Sequence, residues 1–158
     1  MLQSKYRLQQ NTKKMKKILV LQGPNMTYLG KRQPELYGTT SANELDALLQ
    51  AHAKTHGYCL EIFYTHLEGQ AIERLYQAVT EGVHGLVMNP AGFLYSGYAL
   101  RDCLKAINLP YIEVHMTNIE KRGIQSVLAQ VSTGMITGLG IQSYVLGMDA
   151  MLNLLNQD

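Results

Sequence analysis

An α/β fold built on a parallel sheet is the architecture this sequence predicts, and three observations predict it. Five short apolar runs are spread along the chain, each long enough for one strand. Segments with apolar residues at three- and four-residue steps alternate with them. No repeat, low-complexity stretch or linker divides the 158 residues, so one domain accommodates them all. Strands that each lead into a helix or crossover imply a parallel sheet covered on both faces. Right-handed crossovers then favour a flavodoxin-like, doubly wound sheet of five strands in the order 2-1-3-4-5.

The elements follow in order. Residues 17–22 form a continuous apolar strand that Gly23 and Pro24 stop. Residues 23–38 are predicted as a flexible, glycine-bounded loop. Leu45, Leu48, Leu49 and Ala53 make 41–56 an amphipathic helix, with Ser41 as its N-cap and Gly57 as its end. Residues 58–64 read as strand two. Ile72, Leu75, Tyr76 and Val79 place a helix over 71–81. Strand three is 85–88, and 96–107 is a helix carrying Leu100, Leu104 and Ile107. Pro110 opens strand four over 111–116, 134–139 is a short fifth strand, and 143–155 is the final helix.

Composition excludes several classes. The chain is 46% apolar and 16% charged, with no run long enough to span a bilayer, so neither a membrane nor an unfolded state is expected. The net charge of +2 is unevenly placed. Lys5, Arg7, Lys13, Lys14, Lys16 and Lys17 supply six of the 14 basic residues, which leaves 8 against all 12 acids and a body of net charge −4. Nucleic acid is therefore not the expected partner. Residues 1–16 are predicted as a basic, disordered extension without the apolar core of a secretory signal, and 17–158 as the single catalytic domain. Cys59 and Cys103 read as reduced packing residues of a cytoplasmic protein. His52, His56, His66 and His84 read as surface or helix-end residues.

In doubly wound sheets the binding crevice lies beyond the carboxyl ends of the strands. Those ends carry Gly23-Pro24-Asn25, Asn89-Pro90-Ala91-Gly92 and His115-Met116-Thr117-Asn118, three polar clusters on one side of the sheet. No metal-ligand spacing and no phosphate-cradling glycine loop accompanies them, so a small polar organic substrate without cofactor or metal is expected. The chemistry within reach is proton abstraction beside a carbonyl followed by loss of water. A tyrosine serves as base only when a neighbouring cation favours its phenolate, and Arg32 and Tyr37 share one short loop. His115 is the candidate general acid, with Glu113 two residues earlier to orient its ring. Asn25 could hold a water at an enolate oxygen, and the backbone of Met116 and Thr117 suits a substrate carboxylate.

Read together, Gly-Pro-Asn at 23–25, Arg-x-Pro-Glu-x-Tyr-Gly at 32–38, Glu68-Gly69, Asn89-Pro90, Ala99-Leu100-Arg101-Asp102, Glu113-Val114-His115 and Gly138-Leu139-Gly140 resemble type II 3-dehydroquinate dehydratase of the shikimate pathway. The resemblance implies dehydration of 3-dehydroquinate, with Tyr37 as base and His115 as acid. It implies that Arg32 stabilises the transition state and Asn25 positions a water. Asn89, with Ala91 beside it, would contact the substrate. Asp102 would reach the site of an adjacent subunit in a dodecamer assembled as a tetramer of trimers. The chain also departs from the family pattern. The family continues Asn-Pro-Gly-Ala after strand three, whereas this chain has Asn89-Pro90-Ala91-Gly92, and Tyr95 replaces a substrate-binding histidine. The segment 119–132 is shortened and lacks a substrate-gripping arginine, leaving Arg122 as the candidate substitute. A second reading stays open: a weakened homologue that binds a related cyclohexane carboxylate, or an oligomeric binding or regulatory protein.

Overall fold

The computed structural model describes residues 14–157; most of the predicted extension lies outside the described residues, and 14–16 form neither helix nor strand. Strands β1 (Lys17–Gln22), β2 (Cys59–Tyr64), β3 (Gly85–Asn89), β4 (Tyr111–His115) and β5 (Gly134–Thr137) form one parallel sheet in the order β2-β1-β3-β4-β5. Ile18 pairs with both Leu60 and Gly85, so β1 occupies the interior of the sheet, and β2 forms one edge. The predicted order is the observed one.

Side chains alternate across each strand and divide the core in two. Ile18, Val20, Val87, Ile112 and Val114 pack under α2 (Ala42–His56) and α6 (Gln142–Leu155). Leu19, Leu21, Leu86, Met88 and Tyr111 pack under α3 (Glu68–Thr80) and α5 (Tyr98–Ile107). No helix among the described residues is long and apolar enough to cross a membrane.

Ser41 caps α2 as its sequence predicts. Its hydroxyl accepts the Glu44 N–H at 3.2 Å, while the Glu44 carboxylate accepts the Ser41 N–H at 2.7 Å and the Ser41 hydroxyl at 2.9 Å, and these two bonds to the carboxylate lower the Glu44 pKa. Other boundaries differ for physical reasons. The loop 23–38 is not simply flexible: it holds a 3₁₀ turn, Met26–Tyr28, and one helical turn, α1 (Pro34–Tyr37), with Pro34 at the N-terminal position that needs no N–H. The helix predicted over 96–107 begins at Tyr98 as α5, because Gly97 separates it from one preceding helical turn, α4 (Phe93–Ser96). Helix α3 begins three residues before the predicted start, and its Glu68 carboxylate accepts the Leu100 N–H at 2.9 Å, capping α5 from outside. Strand β5 stops at Thr137: the Gly138 N–H still reaches the His115 carbonyl, but its φ of 92° turns the chain away after it. Cys103 is buried as expected, but Cys59 is exposed on the edge strand.

His52 also corrects the surface reading. It lies between α2 and α6, with its ring nitrogens 2.8 Å from the Tyr58 hydroxyl and 2.9 Å from the Asp149 carboxylate. His56 and Asp149 bring ligand-type atoms within 4.8 Å of it. The two imidazoles stack at 4.0 Å with planes 22° apart, so their lone pairs do not converge on one point. As arranged, the cluster ties two helices together.

Candidate active site

Two loops meet where β1 and β3 end. The Gly23 N–H donates to the Asn89 carbonyl at 2.9 Å, and a Cβ at Gly23 would lie 2.1 Å from the Pro90 carbonyl oxygen. Only glycine permits that approach. It sends the chain into Asn25, whose left-handed backbone (φ 68°) asparagine tolerates better than most residues. The Asn25 N–H donates to Nδ1 of His66 at 3.1 Å, so this histidine, exposed as its sequence position predicts, also helps fix the loop. Across the gap Asn89 is buried. Its side-chain oxygen accepts the Ala91 N–H at 3.0 Å, and its amide donates at 2.8 Å to the Tyr144 hydroxyl, which donates at 2.7 Å to Gln22. Asn89 is thus held from behind, and Met26 Sδ at 3.6 Å is the weaker of its amide's two acceptors.

Tyr37 ends α1 and is half-buried. The Arg32 guanidinium carbon lies 5.5 Å from its ring centroid and that of Arg122 lies 5.8 Å away. Arg122 also donates to the Tyr37 hydroxyl at 3.4 Å and to Thr117 Oγ1 at 2.9 Å. Arg122, though exposed, therefore reaches the cavity, and two cations lie against the phenol.

The carboxyl end of β4 supplies the third group. Successive side chains alternate across a strand, so Tyr111, Glu113 and His115 share one face. His115 Nε2 donates to Glu113 Oε1 at 2.6 Å, and the Tyr111 hydroxyl donates to Glu113 Oε2 at 2.7 Å. Glu113 is fully buried and His115 is 4% exposed. With Nε2 engaged, Nδ1 is the ring nitrogen left for the crevice.

These groups surround a cavity of about 140 Å³. Asn25, Arg32, Tyr37, Asn89, Ala91, Tyr95, His115, Met116, Thr117 and Arg122 all line it. Glu113 stands behind His115, and Asp102 is exposed on α5 and does not line this chain's cavity. Tyr95, 61% exposed, is at the rim, and the apolar Ile124 lines the wall. Tyr111, Tyr144 and His66 were not legible as site residues. For Tyr111 a signal existed in its two-residue spacing from Glu113; Tyr144 comes from a distant helix with no motif around it.

Comparison with known proteins decides the family. The family model described as dehydroquinase class II matches residues 16–152. The chain belongs to the class II dehydroquinase family. The 3-dehydroquinate dehydratase of Idiomarina loihiensis is 43% identical over 143 residues, covering 89% of this chain and 94% of the relative. The crystal structure of type II dehydroquinase from Butyrivibrio crossotus superposes with a TM-score of 0.83 at 32% identity, covering 87% of this chain and 97% of the other. That from Propionibacterium acnes gives 0.81 at 36% identity, covering 90% and 97%.

Within this class II dehydroquinase, the exchange of Gly and Ala after Pro90 has a local cost. Ala91 sits at φ 46°, a left-handed backbone that costs a non-glycine residue about 1–2 kcal/mol. Ala91→Gly relieves it but widens the unfolded ensemble at a cost of about 0.4–1 kcal/mol. The variant is expected to be more stable by about 0.5 kcal/mol, read as a higher urea midpoint; a lower midpoint would show that the Ala91 methyl packs too well to lose.

Proposed function

We propose that this chain, a hydro-lyase by family, dehydrates 3-dehydroquinate to 3-dehydroshikimate by anti elimination through an enolate. The observation that carries the reading is a phenol with two guanidinium groups against it in the same cavity as a carboxylate-held imidazole. Tyr37, as phenolate, takes the proton beside the substrate ketone, and its C–H electrons pass into the enolate. Arg32 and Arg122 stabilise the negative charge on both sides of that transfer. Asn25 holds a water against the enolate oxygen. When the enolate collapses, the C–O bond breaks and His115 gives the Nδ1 proton to the departing hydroxyl, releasing water. Glu113 keeps the ring turned for that transfer. Asn89, Ala91, Tyr95, Met116 and Thr117 form the substrate's surroundings. Asp102 acts across a subunit boundary in a homo-oligomer, a dodecamer built as a tetramer of trimers.

The second reading, a weakened homologue, draws on the apolar Ile124 wall and on the bonds that already occupy Arg122. Steady-state dehydration of 3-dehydroquinate, followed by the ultraviolet absorbance of the conjugated enone, separates the two. Turnover by the native protein, lost in His115→Ala, supports the proposal. A folded oligomer without turnover sinks it and leaves the second reading. Arg122→Leu in the same assay is expected to lower kcat about tenfold, roughly the 1.4 kcal/mol that an exposed, partly screened cation contributes to a nearby anion. Unchanged kcat would show Arg32 alone to suffice.

A further inference from the structure

Glu113 is fully buried, yet it carries a carboxylate that the proposed chemistry needs ionised. A buried carboxylate without hydrogen-bond donors is costly, so what satisfies its oxygens determines how it behaves. Each oxygen has one donor among the described residues: His115 on Oε1 and Tyr111 on Oε2. Nothing else nearby replaces them. The residues paired with Glu113 in the neighbouring strands are Met88 and Met135. The cluster around Tyr111 presents Leu100, Leu104 and Leu128, and its thiol, on Cys103, is kept neutral by burial and engages Tyr76. Tyr111 is 1% exposed, and burial with the adjacent carboxylate holds its phenol far above the usual tyrosine range, so it remains a donor.

Resting on the function proposed above and deepening it, we infer that Tyr111 is a positioning residue for the acid: its hydroxyl anchors the Glu113 carboxylate and, through it, the His115 ring. The three residues form a line from the sheet interior to the cavity. Removing the far end frees the middle to rotate and leaves its negative charge with one donor fewer.

The sign of the effect follows. Losing Tyr111 destabilises the unprotonated Glu113–His115 pair, which carries a net negative charge, more than the pair that has gained a proton and is neutral. Tyr111→Phe therefore raises the proton affinity of the pair about tenfold, one pH unit, in line with loss of a charge-assisted hydrogen bond.

The test is a ¹⁵N NMR titration of the histidine rings in the native protein and Tyr111→Phe, run beside pH profiles of kcat and KM. The expected result is a His115 titration shifted up by about one unit. The alkaline limb of kcat should move with it, kcat should fall about tenfold, and KM should stay within twofold. A purely structural tyrosine would lower the unfolding temperature and leave the His115 titration and the alkaline limb in place; that outcome overturns the inference. If the native protein does not turn over 3-dehydroquinate, the function fails while the titration still judges Tyr111. Should phenylalanine prevent folding, the native protein decides: a slowly exchanging, far-downfield Tyr111 hydroxyl proton that moves upfield in Glu113→Gln supports the anchor, and its absence overturns it.

Discussion

Tyr37→Phe is expected to lower kcat for 3-dehydroquinate about a thousandfold, with KM changed less than threefold. A positioned acid or base contributes about 10²–10⁴ in rate, and the two charged side chains against the phenol among the described residues are arginines, which do not give up their protons and so do not replace it. The ring stays, so its packing against the two guanidinium groups and against the α2–α6 face of the core survives. Only a 3.4 Å bond to Arg122 is removed at an exposed site, so stability should change by less than about 0.5 kcal/mol. Kinetics and a urea titration on one preparation check both halves. A variant that keeps a tenth of native kcat would remove Tyr37 from the role of base.

Gly23→Ala acts through architecture. The added methyl carbon would start 2.1 Å from the Pro90 carbonyl oxygen, a backbone atom that cannot swing aside as a side-chain tip could. One loop must move, and the Gly23–Asn89 hydrogen bond joining the two is the first to break. Overpacking of this kind costs about 1–3 kcal/mol, and the broken bond places the expected destabilisation near the upper end, about 3 kcal/mol. Asn25 lies on one loop and Asn89 ends the strand that feeds the other, so displacement by about 1 Å should also reduce kcat/KM roughly a hundredfold. Denaturation midpoints and kinetics on the folded fraction measure both. An alanine variant with native stability and native kinetics would show that the loops have slack.

Much of this was legible in the sequence, for reasons that particular residues make clear. Apolar period and glycine punctuation predicted the strands, and the crossover rule then predicted their order. The strand ends named the crevice, because parallel strands deliver Asn25, Asn89 and His115 to one edge whatever the loops do. The reach of Arg122 to the cavity was not legible, since it depends on how a shortened segment closes onto Thr117. Nor was the support behind Asn89: Tyr144 and Gln22 are 122 residues apart and meet only after α6 covers the sheet. Gly97 looked like one more residue of a helix, and only the close carbonyl of Phe93 shows why α5 begins after it.

The position of β1 also bears on how the protein emerges from the ribosome. The first strand of the described residues is an interior one, flanked by partners at residues 59–64 and 85–89 and covered on one face by Met148, Met151 and Leu155 of α6. At about 5–20 residues per second, its apolar stretch 18–21 waits on the order of ten seconds before that cover is synthesised. Throughout that time the nascent chain carries a sticky strand with no finished sheet to join. Shielding of that strand early in translation therefore bears on the yield of folded protein.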